Sequence, residues 1–155
     1  MSGREKDLER FIEAQEPIYA QALAELEEGC KRSHWMWFVF PQLKGLGHSW
    51  RSEYYGIANL TEAVAFLAHP TLGERYVECV RALMANPKDS ASVILGPIDA
   101  LKLCSSLTLF EAAARASGRS DEQNLFATAL ERFFGGRRCP LTEARLRWDR
   151  ATPRP

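Results

Sequence analysis

Apolar residues recur along this chain at three- and four-residue intervals, and proline, glycine and small polar residues mark the breaks between the stripes. That period belongs to amphipathic helices rather than strands. Ile18, Ala22 and Leu26 form one stripe between Pro17 and Gly29, a proline at the start and a glycine just past the end. Asn59-x-x-Glu62 opens a shorter helix that closes at His69-Pro70. Thr71-x-x-Glu74 reads as a capping box for the next helix, with Tyr76, Val77, Val80 and Met84 inward and Asn86-Pro87 as its end. Pro97 starts a helix through Leu101, and Thr108-x-x-Glu111 reads as a fresh cap, so a break is expected between Ser105 and Thr108. Ser120-x-x-Gln123 begins another, with Leu125, Phe126, Leu130 and Phe133 inward and Gly135-Gly136 as its stop. Only Trp35 to Phe40 and Val93 to Leu95 look extended. Neither alternates polar with apolar positions, and both are assigned to short buried helices or turns. The pattern predicts an all-α fold: one compact domain of seven to nine short helices over residues 1–149, followed by a frayed tail over 150–155. An α+β fold is the alternative.

Composition narrows the class further. A chain of 155 residues fits one domain, and 46% hydrophobic with 10% aromatic residues supplies a core without need of disulfide or metal. Twenty basic and twenty acidic side chains cancel. Nucleic-acid binding is therefore disfavoured, because counterion release rewards a basic excess. The charge is uneven, however, with eight acids in residues 1–28 and seven arginines from Arg132 onward. Attraction between the two ends, within a monomer or across a homodimer, is the simple expectation. Cys30, Cys79, Cys104 and Cys139 have no zinc or redox spacing, and no cofactor is implied. No stretch approaches the ~20 apolar residues of a membrane span. The charged N-terminus lacks a secretory h-region, so a cytoplasmic location with reduced thiols is expected.

Three segments carry candidate chemistry. Lys31 to Gln42 crowds Trp35, Trp37, Phe38 and Phe40 beside Lys31, His34 and Gln42. Were the segment helical, Lys31, His34 and Phe38 would share a face, and a cation, an imidazole and aromatic walls suit an anionic or planar ligand. The plainer reading makes the aromatics core. Lys44 to Ser49 follows, a glycine-containing loop leading to a helix N-terminus with Lys44 and Ser49 as possible anion contacts. It lacks the spacing of either nucleotide-binding fingerprint, and a tight turn with a Ser49 cap is the ordinary account. Third, Asp99, Lys102 and Ser106 stand at i, i+3 and i+7, with Ser105 adjacent. Facing a pocket, Asp99 is a candidate base and Lys102 an orienting cation; facing water, they form a surface ion pair. A triad of Ser106, His34 and Asp99 lacks a nucleophile elbow and is rejected.

These residues carry a resemblance. Arg10-Phe11-x-x-Ala14-Gln15, the block Ser33 to Gln42, His69-Pro70-x-Leu72-Gly73-x-Arg75 and Asp99-x-x-Lys102-Leu103-x-Ser105-Ser106 resemble the bacterial family of unknown function DUF1810 over roughly residues 8–134. The resemblance implies an all-helical single domain and no reaction. The segment Gly136 to Pro140 departs from the acidic loop associated with that position. Such proteins are sometimes labelled calpastatin, but a flexible inhibitor is polar, repetitive and poor in aromatics, whereas this chain is aromatic-rich, non-repetitive and densely capped. The functional expectation is a pocket for an anionic or nucleotide-derived small molecule. In it His34, Asp99 and Lys102 are the candidate catalytic groups, and Lys31, Trp35, Trp37, Gln42, Lys44, Ser49, Ser105 and Ser106 line the site. An ADP-ribose-type glycosidic hydrolase is the enzyme class to test first. The rival is a non-catalytic interaction module.

Overall fold

A computed structural model describes residues 3–151, and they form ten α-helices. In chain order these are α1 (Gly3–Gln15), α2 (Tyr19–Glu28), α3 (Met36–Val39), α4 (Trp50–Tyr54), α5 (Leu60–Ala68), α6 (Pro70–Ala85), α7 (Ala91–Leu95), α8 (Pro97–Ala116), α9 (Ser120–Phe134) and α10 (Pro140–Ala151). The all-α reading holds, with one helix more than the expected upper count among the described residues. Most of the expected tail over 150–155 lies outside those residues, while Arg150 and Ala151 continue α10. Leu43 and Ile57 form an isolated parallel bridge that closes the loop containing α4. No described helix is long and apolar enough to cross a membrane.

Local signals set most boundaries. The αL conformation of Gly29, with φ at 79°, ends α2, and its N–H reaches back to the Glu25 and Leu26 carbonyls. The Asn59 and Ser49 side chains cap α5 and α4 by accepting from Glu62 N and Ser52 N. Two of the expected caps are different. The imidazole of His69 caps α6, its Nδ1 accepting from Thr71 N at 3.1 Å and Leu72 N at 3.3 Å, so Thr71 lies inside the helix. The expected break near Ser105 is absent, and α8 runs on to Ala116. Thr108 donates its hydroxyl back to the Cys104 carbonyl at 2.7 Å instead of capping, and Glu111 turns away to Arg138.

α8 is the axis of the molecule, packing against α5, α7, α9 and α10. From Leu103 to Glu111 every residue but Cys104 is buried, a continuity that a helix with one apolar stripe does not show. Tyr76 from α6 meets it at the centre, its ring 4.4 Å from Phe110, 5.3 Å from Phe126 and 5.5 Å from Phe40. Such aromatic burial contributes on the order of 2–3 kcal/mol per side chain. The Tyr76 hydroxyl pairs with Ser106 Oγ at 2.8 Å and so is not left unsatisfied in the core. The α5–α6 corner closes tightly over Gly73: a Cβ there would lie 2.0 Å from the Leu67 carbonyl oxygen.

Within one chain, the two charged ends do not pair with each other. Arg132 binds Asp89 and the Met84, Asn86 and Lys88 carbonyls, while Arg138 binds Glu111. Among the described residues, no ion pair joins the acids of the N-terminal segment to the arginines from Arg132 onward.

Candidate functional site

The tryptophan-rich block is organised by Glu25, an acid of α2 that lies 1% exposed. Its Oε1 accepts from Arg32 N at 2.9 Å, Ser33 N at 3.1 Å and Trp35 Nε1 at 2.9 Å. Its Oε2 accepts from Ser33 Oγ at 2.7 Å and Gln21 Nε2 at 3.1 Å. Burial pushes this carboxyl up, but donation from the Arg32 backbone, Ser33, Trp35 and Gln21 outweighs it and holds the group well below the usual carboxylate range. The connection from residue 30 to 35 is thereby tied down as a loop. Helix begins only at Met36, so Lys31, His34 and Phe38 do not share a helical face.

From this loop a chain of charge contacts leads to α8. Lys31 Nζ lies 2.9 Å from Asp99 Oδ2, and Lys102 Nζ lies 3.3 Å from Asp99 Oδ1. The Lys102 ammonium also sits 3.9 Å from the centre of a Trp37 ring, a cation–π contact. The aromatic block and the α8 charges therefore meet. Beside that contact opens a groove of about 980 Å³ between α3, α8 and the α9–α10 junction. Trp37, Ile98, Leu101, Phe133, Phe134 and Leu141 supply its apolar walls. Polar atoms come from Gln42, Lys102, Ser105, Arg137, Arg138 and Cys139. Arg138 is held by the buried Glu111, Nε to Oε1 at 3.0 Å and Nη2 to Oε2 at 2.5 Å. Arg137 is exposed and makes no ion pair among the described residues.

Four of the expected site residues line this groove: Trp37, Gln42, Lys102 and Ser105. Lys31 and Asp99 are not part of its lining, and each Asp99 oxygen is engaged by a lysine. The others lie elsewhere. Trp35 is not a pocket wall: it is 1% exposed, packed near Phe40 and hydrogen-bonded to Glu25. Ser106 is sealed in the core against Tyr76, because two turns beyond Asp99 the helix is buried on all sides. His34 is exposed, lies outside the groove lining, and makes no side-chain hydrogen bond among the described residues. Lys44 is also exposed outside the groove; its backbone N–H donates to the Ile57 carbonyl at 2.8 Å. Ser49 is spent on the α4 cap.

Sequence reasoning missed the far wall, which comes from Phe133 to Leu141. A signal existed in Phe133-Phe134 before two glycines: adjacent helical residues diverge by about 100°, so both cannot face one core. Ile98 and Leu101, three apart on α8, form a second apolar stripe beside the Asp99–Lys102 stripe.

Residues 5–146 match a family model described as protein of unknown function (DUF1810). The chain belongs to the DUF1810 family. No curated protein matches it. Among solved structures, this DUF1810 domain is similar to the conserved hypothetical protein Rv1873 from Mycobacterium tuberculosis, whose crystal structure was determined at 1.38 Å. The two are 46% identical with a TM-score of 0.83, over 89% of this chain and 94% of that one.

Proposed function

We propose that this DUF1810 domain binds a small amphipathic anion, such as a nucleotide-derived metabolite, in the groove beside Trp37. The observation that carries this reading is the Lys102 ammonium lying on the Trp37 ring at the edge of a cavity with apolar walls. A flat ligand body would lie along Trp37, Phe133 and Phe134. Its negative group would reach Arg137 and Lys102, and the Gln42 amide, without a side-chain partner among the described residues, would fix its orientation. Catalysis by His34 and Asp99 is not part of this reading, since His34 stands outside the groove and both Asp99 oxygens are occupied. A cytoplasmic location is part of it, supported by four unpaired cysteines.

The test is a thermal-shift series with nucleoside mono- and diphosphates and ADP-ribose. A ligand at a hundredfold its Kd stabilises by about 2.7 kcal/mol. Trp37→Ala and Lys102→Met are each expected to abolish the shift while the unliganded protein stays folded. Flat melting curves across the whole series would sink the proposal. A second reading is favoured by Ile98, Leu101 and Leu141, which are 66–71% exposed at the groove mouth and could seat a protein partner. Arg137→Ala separates the two: it removes a small-molecule shift but leaves in place a protein contact made through the three exposed leucine and isoleucine side chains, read by sedimentation.

A further inference from the structure

The four cysteines stand in different surroundings. Cys30 is exposed, and Cys79 is buried, its thiol pushed up to about 12 by that burial. Cys104 and Cys139 are both part of the groove wall, one on α8 and the other immediately before α10.

Cys139 is set in a cradle of donors. Its own N–H donates to Thr108 Oγ1 at 3.0 Å, which fixes the residue against α8. The Ser105 hydroxyl lies 3.2 Å from Cys139 Sγ and 3.2 Å from the Leu101 carbonyl, so its single proton is available to either. Thr142, one turn into α10, is 0% exposed, and its Oγ1 is the buried side-chain polar atom left without a hydrogen-bond partner among the described residues. Burial pushes the Cys139 thiol up, but the Ser105 hydroxyl and the Thr142 and Leu141 backbone amides hold it below its ordinary value. Cys104 differs: burial, then the neighbouring Cys139 charge, push its thiol up, and its Sγ donates to the Arg137 carbonyl at 3.6 Å.

We infer that Cys139 is an oxidisable nucleophile, that an organic hydroperoxide in the apolar groove converts it to a sulfenic acid, and that Cys104 resolves this to a disulfide. The Cys139 sulfur attacks the terminal peroxide oxygen and the O–O bond breaks. The alkoxide leaves and takes the thiol proton to become an alcohol; sulfur is oxidised and the peroxide reduced. The Cys104 sulfur then displaces the sulfenic oxygen as water, forming the S–S bond. A second thiol in the same groove favours an oxidant over a carbon electrophile, which needs no resolving partner. The inference goes beyond the proposed binding function and does not depend on it, because it is read on the protein without an anionic ligand.

The test uses the full chain, fully reduced and then exposed to one equivalent of cumene hydroperoxide, with peptide mass spectrometry. The expected result is a Cys104–Cys139 disulfide in the wild type and a dimedone adduct on Cys139 in Cys104→Ser. Alkylation by iodoacetamide supplies a second readout. At pH 7 Cys139 is expected to react before the more exposed Cys30. Ser105→Ala is expected to slow Cys139 about threefold to tenfold, a difference that vanishes at pH 10 where the thiol is ionised in both proteins. Modification of Cys30 ahead of Cys139 in both assays would overturn the inference. A Cys139 adduct that persists in the oxidised wild type with no disulfide would overturn the role given to Cys104.

Discussion

Glu25 and Glu111 are both buried carboxylates that tie a loop to a helix, yet Glu25 takes five uncharged donors where Glu111 takes one guanidinium. The Glu25 loop leads into the Trp35–Trp37 block, and the Glu111 loop carries Arg137 and Cys139 along the opposite wall of the groove. Two of the donors to Glu25 are backbone amides and one is the Trp35 indole, so the acid is bound to the path of the chain itself. Arg138 is 29% exposed at its side chain, so water competes for it and both partners lose less if the pair is replaced. The first loop is therefore held by the fold's polar accounting, and the second by a pair that apolar residues could substitute.

Glu25→Ala is the strongest way to break this comparison. It strands the Trp35 indole and two amides, and chemical denaturation is expected to show a loss of about 3–5 kcal/mol. The pH dependence has a definite sign. Since the folded carboxyl sits below its ordinary value of 4.5, its contribution is full above that pH and is lost as pH falls toward the lower folded value. Glu25→Gln is expected to flatten the stability curve below pH 4.5 while lowering it at neutrality.

Arg138→Ala comes next, at about 2–3 kcal/mol, because it leaves Glu111 buried without a counter-charge. The joint replacement Glu111→Leu with Arg138→Leu is expected to recover most of that loss in the same denaturation experiment. A double variant as unstable as Arg138→Ala would show that the pair is no more replaceable than the Glu25 cage. Ser33→Ala removes the hydroxyl donor to Glu25 and is expected to cost about 1–2 kcal/mol. Arg32→Ala is the smallest. The side chain only reaches the exposed Glu28, while its amide still serves Glu25, so the denaturation midpoint is expected to stay put.

The helices were legible where the signal is local. Pro97, Gly29, Asn59 and Gly135 act on their own backbone and mark ends wherever they occur. Thr71 and Thr108 misled because a capping box is a permitted pattern, and tertiary contacts chose otherwise: the His69 ring took the α6 cap, and Arg138 drew Glu111 away. The site was legible in part. Lys31, Asp99 and Lys102 meet as their charges demand, but nothing in the chain separates Trp35, which is core, from Trp37, which faces the groove. That division depends on Glu25, which in sequence is one acid in an acidic run. Cys139 carried no motif, since its cradle is assembled from α8 and α10, more than thirty residues apart along the chain for Ser105.

At Gly73 the fold tolerates no side chain. The obstacle to any side chain there is the Leu67 backbone oxygen, which no rotamer change can move aside. Gly73→Ala would act as a wedge at the α5–α6 corner, outside the groove lining and chemically inert. Such a wedge is the raw material of a heat-sensitive strain: growth defects that emerge on warming and vanish on cooling would report what the organism needs this protein for, before any ligand is known.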